Sequence, residues 1–140
     1  MNALGHGSLG ISARIRKFYP NMFDEYHKLC GWFKDYKLQE EIIGMFQGLP
    51  FPDSSNILCN AFGQRFLSDT KYVIDFDAWE KICRKMISQI QANNKSTGIL
   101  YEIHCPYKIG HGMKPEEVDR VKEIIEEYFA DSDIKFVYHI

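Results

Sequence analysis

From Asp77 to its end the sequence alternates two kinds of periodicity, and that alternation restricts the folds open to it. Trp79, Ile82, Cys83, Met86, Ile87 and Ile90 recur at helical spacing, and the stripe fades at Ala92-Asn93-Asn94. Ile99, Tyr101, Ile103 and Cys105 then alternate as in a strand. A glycine-bearing loop follows, Pro106 to Met113. Pro115 opens a second helical stripe, Val118, Val121, Ile124, Ile125, Tyr128 and Phe129, and Phe136-Val137-Tyr138 form a last strand. Asp77-Ala-Trp-Glu80 has the spacing of a capping box ahead of the first stripe. Strands separated by amphipathic helices argue for an α/β fold with a largely parallel sheet.

The first half adds two helices. Ile11, Ile15 and Phe18 share a helical face, Tyr19-Pro20-Asn21 breaks it, and Pro20 suits the first position of the next helix. Met22, Phe23, Tyr26, Leu29, Cys30 and Phe33 give that helix one apolar face. Glu41 to Phe46 reads as a short strand, Gly48 to Ser55 as a loop, and Ile57 to Phe62 as a strand buried on both faces. Residues 1–140 fit a single domain with a core large enough to need no metal or disulfide.

Composition narrows the function classes. A formal net charge of −2 with no basic run argues against nucleic-acid binding through the phosphate backbone. No apolar run approaches membrane-spanning length. Cys30, Cys59, Cys83 and Cys105 form no C-x-x-C pair, and no signal peptide is visible; they read as reduced thiols of a cytoplasmic protein. His104, Cys105 and His111 invite a zinc reading, but adjacent strand residues point to opposite faces, so His104 and Cys105 are poorly placed for one ion. No metal and no cofactor is called for. No cysteine opens a Cys-x5-Arg phosphate loop. Trp32 and Trp79 read as packing residues, while Tyr107 stands where it could stack on a ligand ring.

Two small-residue loops carry the chemistry. Asn2-Ala-Leu-Gly5-His6-Gly7-Ser8-Leu9-Gly10-Ile11 runs straight into the first helix, and Ile109-Gly110-His111-Gly112-Met113 precedes the last one. The first N–H groups of a helix lack internal partners and lie at the positive end of its dipole, and glycine lets a phosphate approach the backbone. Two such loops fit a diphosphate better than a single anion. Neither ends in Gly-Lys-Ser/Thr and neither is a strand-led G-x-G-x-x-G, so ATP hydrolysis and hydride transfer lose ground.

The order of these pieces resembles the macro domains, the ADP-ribose-binding fold. Asn2-x-x-Gly5 through Gly10-Ile11, with Ile15-Arg16, Tyr19-Pro20 and Tyr26, resembles the family's first ligand loop and helix. Cys59-Asn-Ala-Phe-Gly-Gln64 resembles the Asn-Leu-Phe-Gly-Gln element of phage and bacterial members. Pro106-Tyr-Lys-Ile-Gly-His-Gly-Met113 resembles the second phosphate loop, and Phe129-Ala-Asp-Ser-Asp-Ile134 continues the likeness. Gly7-Ser8 stands where the family has Met-Gly, and His111 where it has Cys.

The resemblance implies a three-layer α/β/α domain with a central mixed, largely parallel sheet. It implies ADP-ribose or an ADP-ribosylated protein as partner, bound by Gly5, Gly7, Ser8, Leu9, Gly10, Ile11, Ile109, Gly110, His111, Gly112 and Met113. Asn2 would lie beside the distal ribose. Glu117 stands where enzymatic relatives place a substrate-side Asp, so a carboxylate there would orient a water or act as general base. The strands that precede the first loop in the family, and the Asp that reads adenine, have no counterpart ahead of Asn2. Weak ADP-ribose affinity with poor adenine discrimination is therefore expected, as is an open sheet edge that favours a homo-oligomer or internal closure. The activities implied are hydrolysis of ADP-ribosyl linkages or of ADP-ribose 1″-phosphate. The alternatives are a non-catalytic or degenerate ADP-ribose or nucleotide-diphosphate binding module acting in an oligomer, and an unrelated α/β domain that binds another phosphate ligand.

Overall fold

The computed structural model describes residues 10–68, 71–106 and 114–139. Two helices come first, α1 (Gly10–Phe18) and α2 (Pro20–Asp35). They are divided at Tyr19, whose N–H bonds the Ile15 carbonyl at 2.7 Å. Pro20 begins α2, where its missing N–H costs nothing. The stripe read from the sequence is the buried face of α2: Met22, Phe23, Tyr26, Cys30 and Phe33 are buried, and Leu29 packs beside them. On α1, Ile15 joins this cluster. Phe18 does not: it is 65% exposed, with the Lys17 ammonium 5.3 Å from its ring.

The next segment departs from the sequence reading. Instead of a strand over 41–46, a 3₁₀ turn (Gln39–Ile42) inserts a fully buried Ile42 under α2. Gly44 then turns with φ +89°, a left-handed conformation that interrupts an extended run. Its N–H bonds the Phe62 carbonyl at 2.9 Å. The strand starts later, β1 (Phe46–Pro50), and takes Gly48 to Pro50 from the expected loop. It pairs antiparallel with β2 (Ile57–Ala61), Gly48 opposite Cys59. β2 is not buried on both faces. Ile57 is 47% exposed and Cys59 is exposed, because among the described residues only β1 pairs with this strand.

A second hairpin, β3 (Gln64–Ser68) and β4 (Lys71–Ile74), is absent from the sequence reading altogether; it is antiparallel, with a bulge between Phe66 and Ser68. It leads into α3 (Phe76–Thr97), which Gly98 ends at φ +72°. The helix is capped by Asp75 rather than by Asp77: the Asp75 carboxylate accepts the Ala78 N–H at 2.9 Å. The remaining elements are β5 (Ile103–Pro106), α4 (Pro115–Ala130) and β6 (Phe136–His139). β5 and β6 are parallel, with His104 opposite Val137 and Pro106 opposite His139. Helix α4 between them in the chain is the crossover that a parallel pair requires.

The chain is thus α/β. Among the described residues the strands form three two-stranded pairs, β5–β6 parallel and the other two antiparallel, so the parallel share is smaller than the alternation of elements implied. The main core is helix on helix on sheet. Trp79, Ile82 and Cys83 of α3 meet Val121, Ile124, Ile125 and Phe129 of α4, and Ile103, Phe136 and Tyr138 pack against them from β5 and β6. No described helix is long and apolar enough to cross a membrane.

Candidate functional site

The described residues frame both candidate loops. α1 begins at Gly10, where the N-terminal loop ends, while β5 stops at Pro106 and α4 starts at Pro115, on either side of the second loop. In chain order each candidate stretch therefore precedes a helix. Of the expected site residues, Gly10 and Ile11 lie in the first turn of α1, and Glu117 lies in the first turn of α4. Asn2, Gly5, Gly7, Ser8, Leu9, Ile109, Gly110, His111, Gly112 and Met113 lie outside the described residues, as does Tyr107.

The two helix ends differ electrostatically. α1 has no acidic residue in its first turn and carries Arg16 and Lys17 in its last, so the helix places no carboxylate of its own against its N-terminal N–H groups. α4 carries Glu116 and Glu117 in its first turn. Glu117 is engaged there: its carboxylate accepts the Lys114 N–H at 2.9 Å, while the Glu117 N–H bonds the Lys114 carbonyl at 3.0 Å. This carboxylate caps the helix, and it also stands on the loop side of α4.

Away from these ends, a polar junction that the sequence reading missed ties three elements together. Arg65 Nε and Nη2 both donate to Asp75 Oδ2, at 3.1 and 2.9 Å, and Arg65 Nη1 pairs with Glu40. Burial pushes the Asp75 carboxyl upward, but the Ala78 N–H and the Arg65 guanidinium outweigh it, and the net shift is downward. A shallow cleft of about 240 Å³ opens beside this junction, between Arg65, Ile74, Phe76 and Asp77. It is poorly suited to an anion, because Asp75 already uses the donors of the α3 terminus and of Arg65. The only sequence signal was an Asp near the head of an apolar stripe; its partner Arg65 is ten residues away, and only the hairpin joins them.

A depressed carboxyl stabilises the fold above its unfolded pKa and loses that contribution as pH falls through the lower, folded value. Asp75→Asn keeps a capping oxygen but loses the charge paired with Arg65, and is therefore expected to cost about 1 kcal/mol at pH 7 and progressively less as the wild-type carboxyl protonates below about pH 4. Urea unfolding of both proteins across pH 3–7 checks this; a constant difference would refute it.

Asn60, the buried polar residue of β2, donates to Gln47 Oε1 at 3.1 Å, and Gln47 Nε2 reaches the Glu25 carbonyl of α2 at 3.3 Å. The cysteines described are free, and burial pushes the Cys83 and Cys105 thiols up to about 12 and about 11, away from thiolate chemistry at neutral pH.

The described elements, one parallel β–α–β unit and two antiparallel strand pairs with α1 and α2 ahead of them, superpose on macrodomains, and the chain shares their fold. Structural comparison gives the specific likenesses. The macrodomain of Mycobacterium tuberculosis DarG superposes with a TM-score of 0.70 at 19% identity, over 99% of this chain and 83% of that one. The macrodomain of Thermus aquaticus DarG gives 0.67 at 18% identity, with the same coverage. Thermosipho africanus DarTG in complex with ADP-ribose gives 0.66 at 17% identity, over 99% of this chain and 35% of that one. No protein-family model matches the sequence, and a search of curated proteins finds no match.

Proposed function

We propose that this chain binds ADP-ribose, free or attached to protein, through the loop that ends at Gly10-Ile11 and the loop 109–113. The observation that carries the reading is the likeness, over 99% of this chain, to part of a structure solved in complex with ADP-ribose. The lack of an acidic residue in the first turn of α1 and the chain order β5, 107–113, α4 support it. In this reading Gly5, Gly7, Ser8, Leu9, Gly10 and Ile11 hold one side of the diphosphate. Ile109, Gly110, His111, Gly112 and Met113 hold the other, and Asn2 lies beside the distal ribose. ADP-ribose at a hundred times its Kd is expected to stabilise the fold by about 2.7 kcal/mol. Thermal-shift and calorimetric titrations with ADP-ribose, ADP and UDP-glucose test this; a response to the simple nucleotide but none to ADP-ribose would favour a different phosphate ligand.

We further propose that Glu117 acts on water at the ribose of a bound substrate, hydrolysing an ADP-ribosyl linkage or ADP-ribose 1″-phosphate. Glu117→Gln preserves an acceptor for the Lys114 N–H but removes the base. Turnover is expected to fall about 10²- to 10⁴-fold with the melting temperature unchanged. A second reading, binding without turnover, is favoured by the capping contact that already occupies this carboxylate. Binding with no wild-type turnover of either substrate would establish it.

A further inference from the structure

On β5 and β6 the residues alternate between two faces. Ile103, Phe136 and Tyr138 turn toward α3 and α4, whereas His104 and His139 are exposed. On the exposed face three side chains form a line. His104 Nε2 lies 2.6 Å from Glu102 Oε1, and His104 Nδ1 lies 2.6 Å from His139 Nε2. The ring centroids are 4.9 Å apart at an interplanar angle of 29°. That separation exceeds the nitrogen–nitrogen distance by about two ring radii, so the nitrogens meet head-on.

Head-on nitrogens at this distance need one proton between them. A cation bonded to both at about 2.0–2.1 Å does not fit. The proton positions follow from Glu102. An ionised carboxylate only accepts, so His104 carries its proton on Nε2 and leaves Nδ1 bare; His139 Nε2–H then donates to Nδ1. One added proton goes to the outer nitrogen of His139 and strengthens the contact as a charge-assisted bond. A second must go to His104 Nδ1, and two N–H groups then face each other.

We propose that Glu102, His104 and His139 form a proton-operated clasp that holds β5 to β6 while at most one imidazole is charged, and releases them when both are. On this face Glu102 also meets Lys135, whose Nζ is 3.6 Å from Glu102 Oε2. From α4, Lys122 and Glu126 address Tyr138 on the opposite face. The clasp runs diagonally across the pair, from His104, opposite Val137, to His139, opposite Pro106, and β5 is the strand that precedes residues 107–113 in the chain.

The test is NMR on protein labelled with ¹⁵N in its histidine rings. At pH 8, His104 and His139 are both expected as Nε2–H tautomers, with a ¹⁵N–¹⁵N coupling across the hydrogen bond. As the pH is lowered until the ring ¹⁵N shifts report both imidazoles charged, the coupling is expected to vanish. The protection factor of the Ile103 amide, bonded to the Lys135 carbonyl at 2.9 Å, falls about tenfold relative to amides of α3. His139→Gln, a substitution at an exposed position, should remove that pH response. The proposal fails if no coupling is seen at pH 8, if protection is the same before and after both rings are charged, or if the response persists in His139→Gln.

Discussion

Gly63→Ala is expected to destabilise the protein by about 3 kcal/mol, lowering the melting temperature by about 10 °C. The cause is space rather than backbone conformation. Gly63 is buried, and a Cβ built on it overlaps the indole of Trp79, including Nε1. Trp79 has little freedom to yield. It is 7% exposed, sits in the first turn of α3 between the Asp75 cap and the α4 stripe, and belongs to the main core. Gly63 is itself held, since its carbonyl accepts the Asp75 N–H at 3.0 Å. It also lies between the two cores, for Phe62 belongs to the α2 cluster and Trp79 to the α3–α4 cluster. Two controls make the result specific. Gly31→Ala, where nothing lies within 4 Å, should stabilise by about 0.5–1 kcal/mol, because alanine is the better residue in a helix interior. Trp79→Phe should rescue much of the Gly63→Ala loss by shrinking the ring, and it removes an indole N–H with no hydrogen-bond partner among the described residues. Thermal melts of the four variants decide it. A neutral Gly63→Ala would mean that the indole moves aside freely.

Ile82→Ala is expected to cost about 4 kcal/mol. Ile82 is 0% exposed, at the centre of the face that α3 turns toward Val121, Ile124 and Ile125 of α4. Removing most of its side chain leaves a cavity bounded by two long helices and the β5–β6 pair, elements that are poorly able to collapse into it. Urea unfolding should show a lower midpoint with an unchanged slope, since the surface exposed on unfolding barely changes. Ile99→Ala, at a position 52% exposed, should change stability by less than about 0.5 kcal/mol. Equal losses at the two positions would contradict the burial pattern on which the fold description rests.

The helices were the most legible part of the chain. The stripes of α2, α3 and α4 in the sequence are the buried faces in the structure, because 3.6-residue periodicity needs only neighbours along the chain to reveal it. The strands were less so. The alternation of Ile99 to Cys105 marks β5, which is shorter than that pattern, and the apolar run Phe136-Val137-Tyr138 marks β6. The segment around Gly44 misled, since Ile42 and Ile43 are apolar for burial in a 3₁₀ turn rather than in a strand. The β3–β4 hairpin escaped notice because its pairing is a property of two segments together. Of the candidate site, the residue types and loop positions came from the sequence. Glu117 was placed at the head of α4, and its capping bond to Lys114 is a structural finding.

By itself, then, the sequence determined the helical faces, the α/β class and the two glycine-bearing loops, each of which is encoded by local spacing. Only the tertiary structure decided which residue caps α3, that Arg65 pairs with Asp75, that Gly63 leaves room for Trp79, and that His104 meets His139. These contacts join residues that are distant along the chain, or depend on where a turn begins. Their energies are set by close packing and by the pairing of buried or aligned polar groups, and no window of neighbouring residues contains that information.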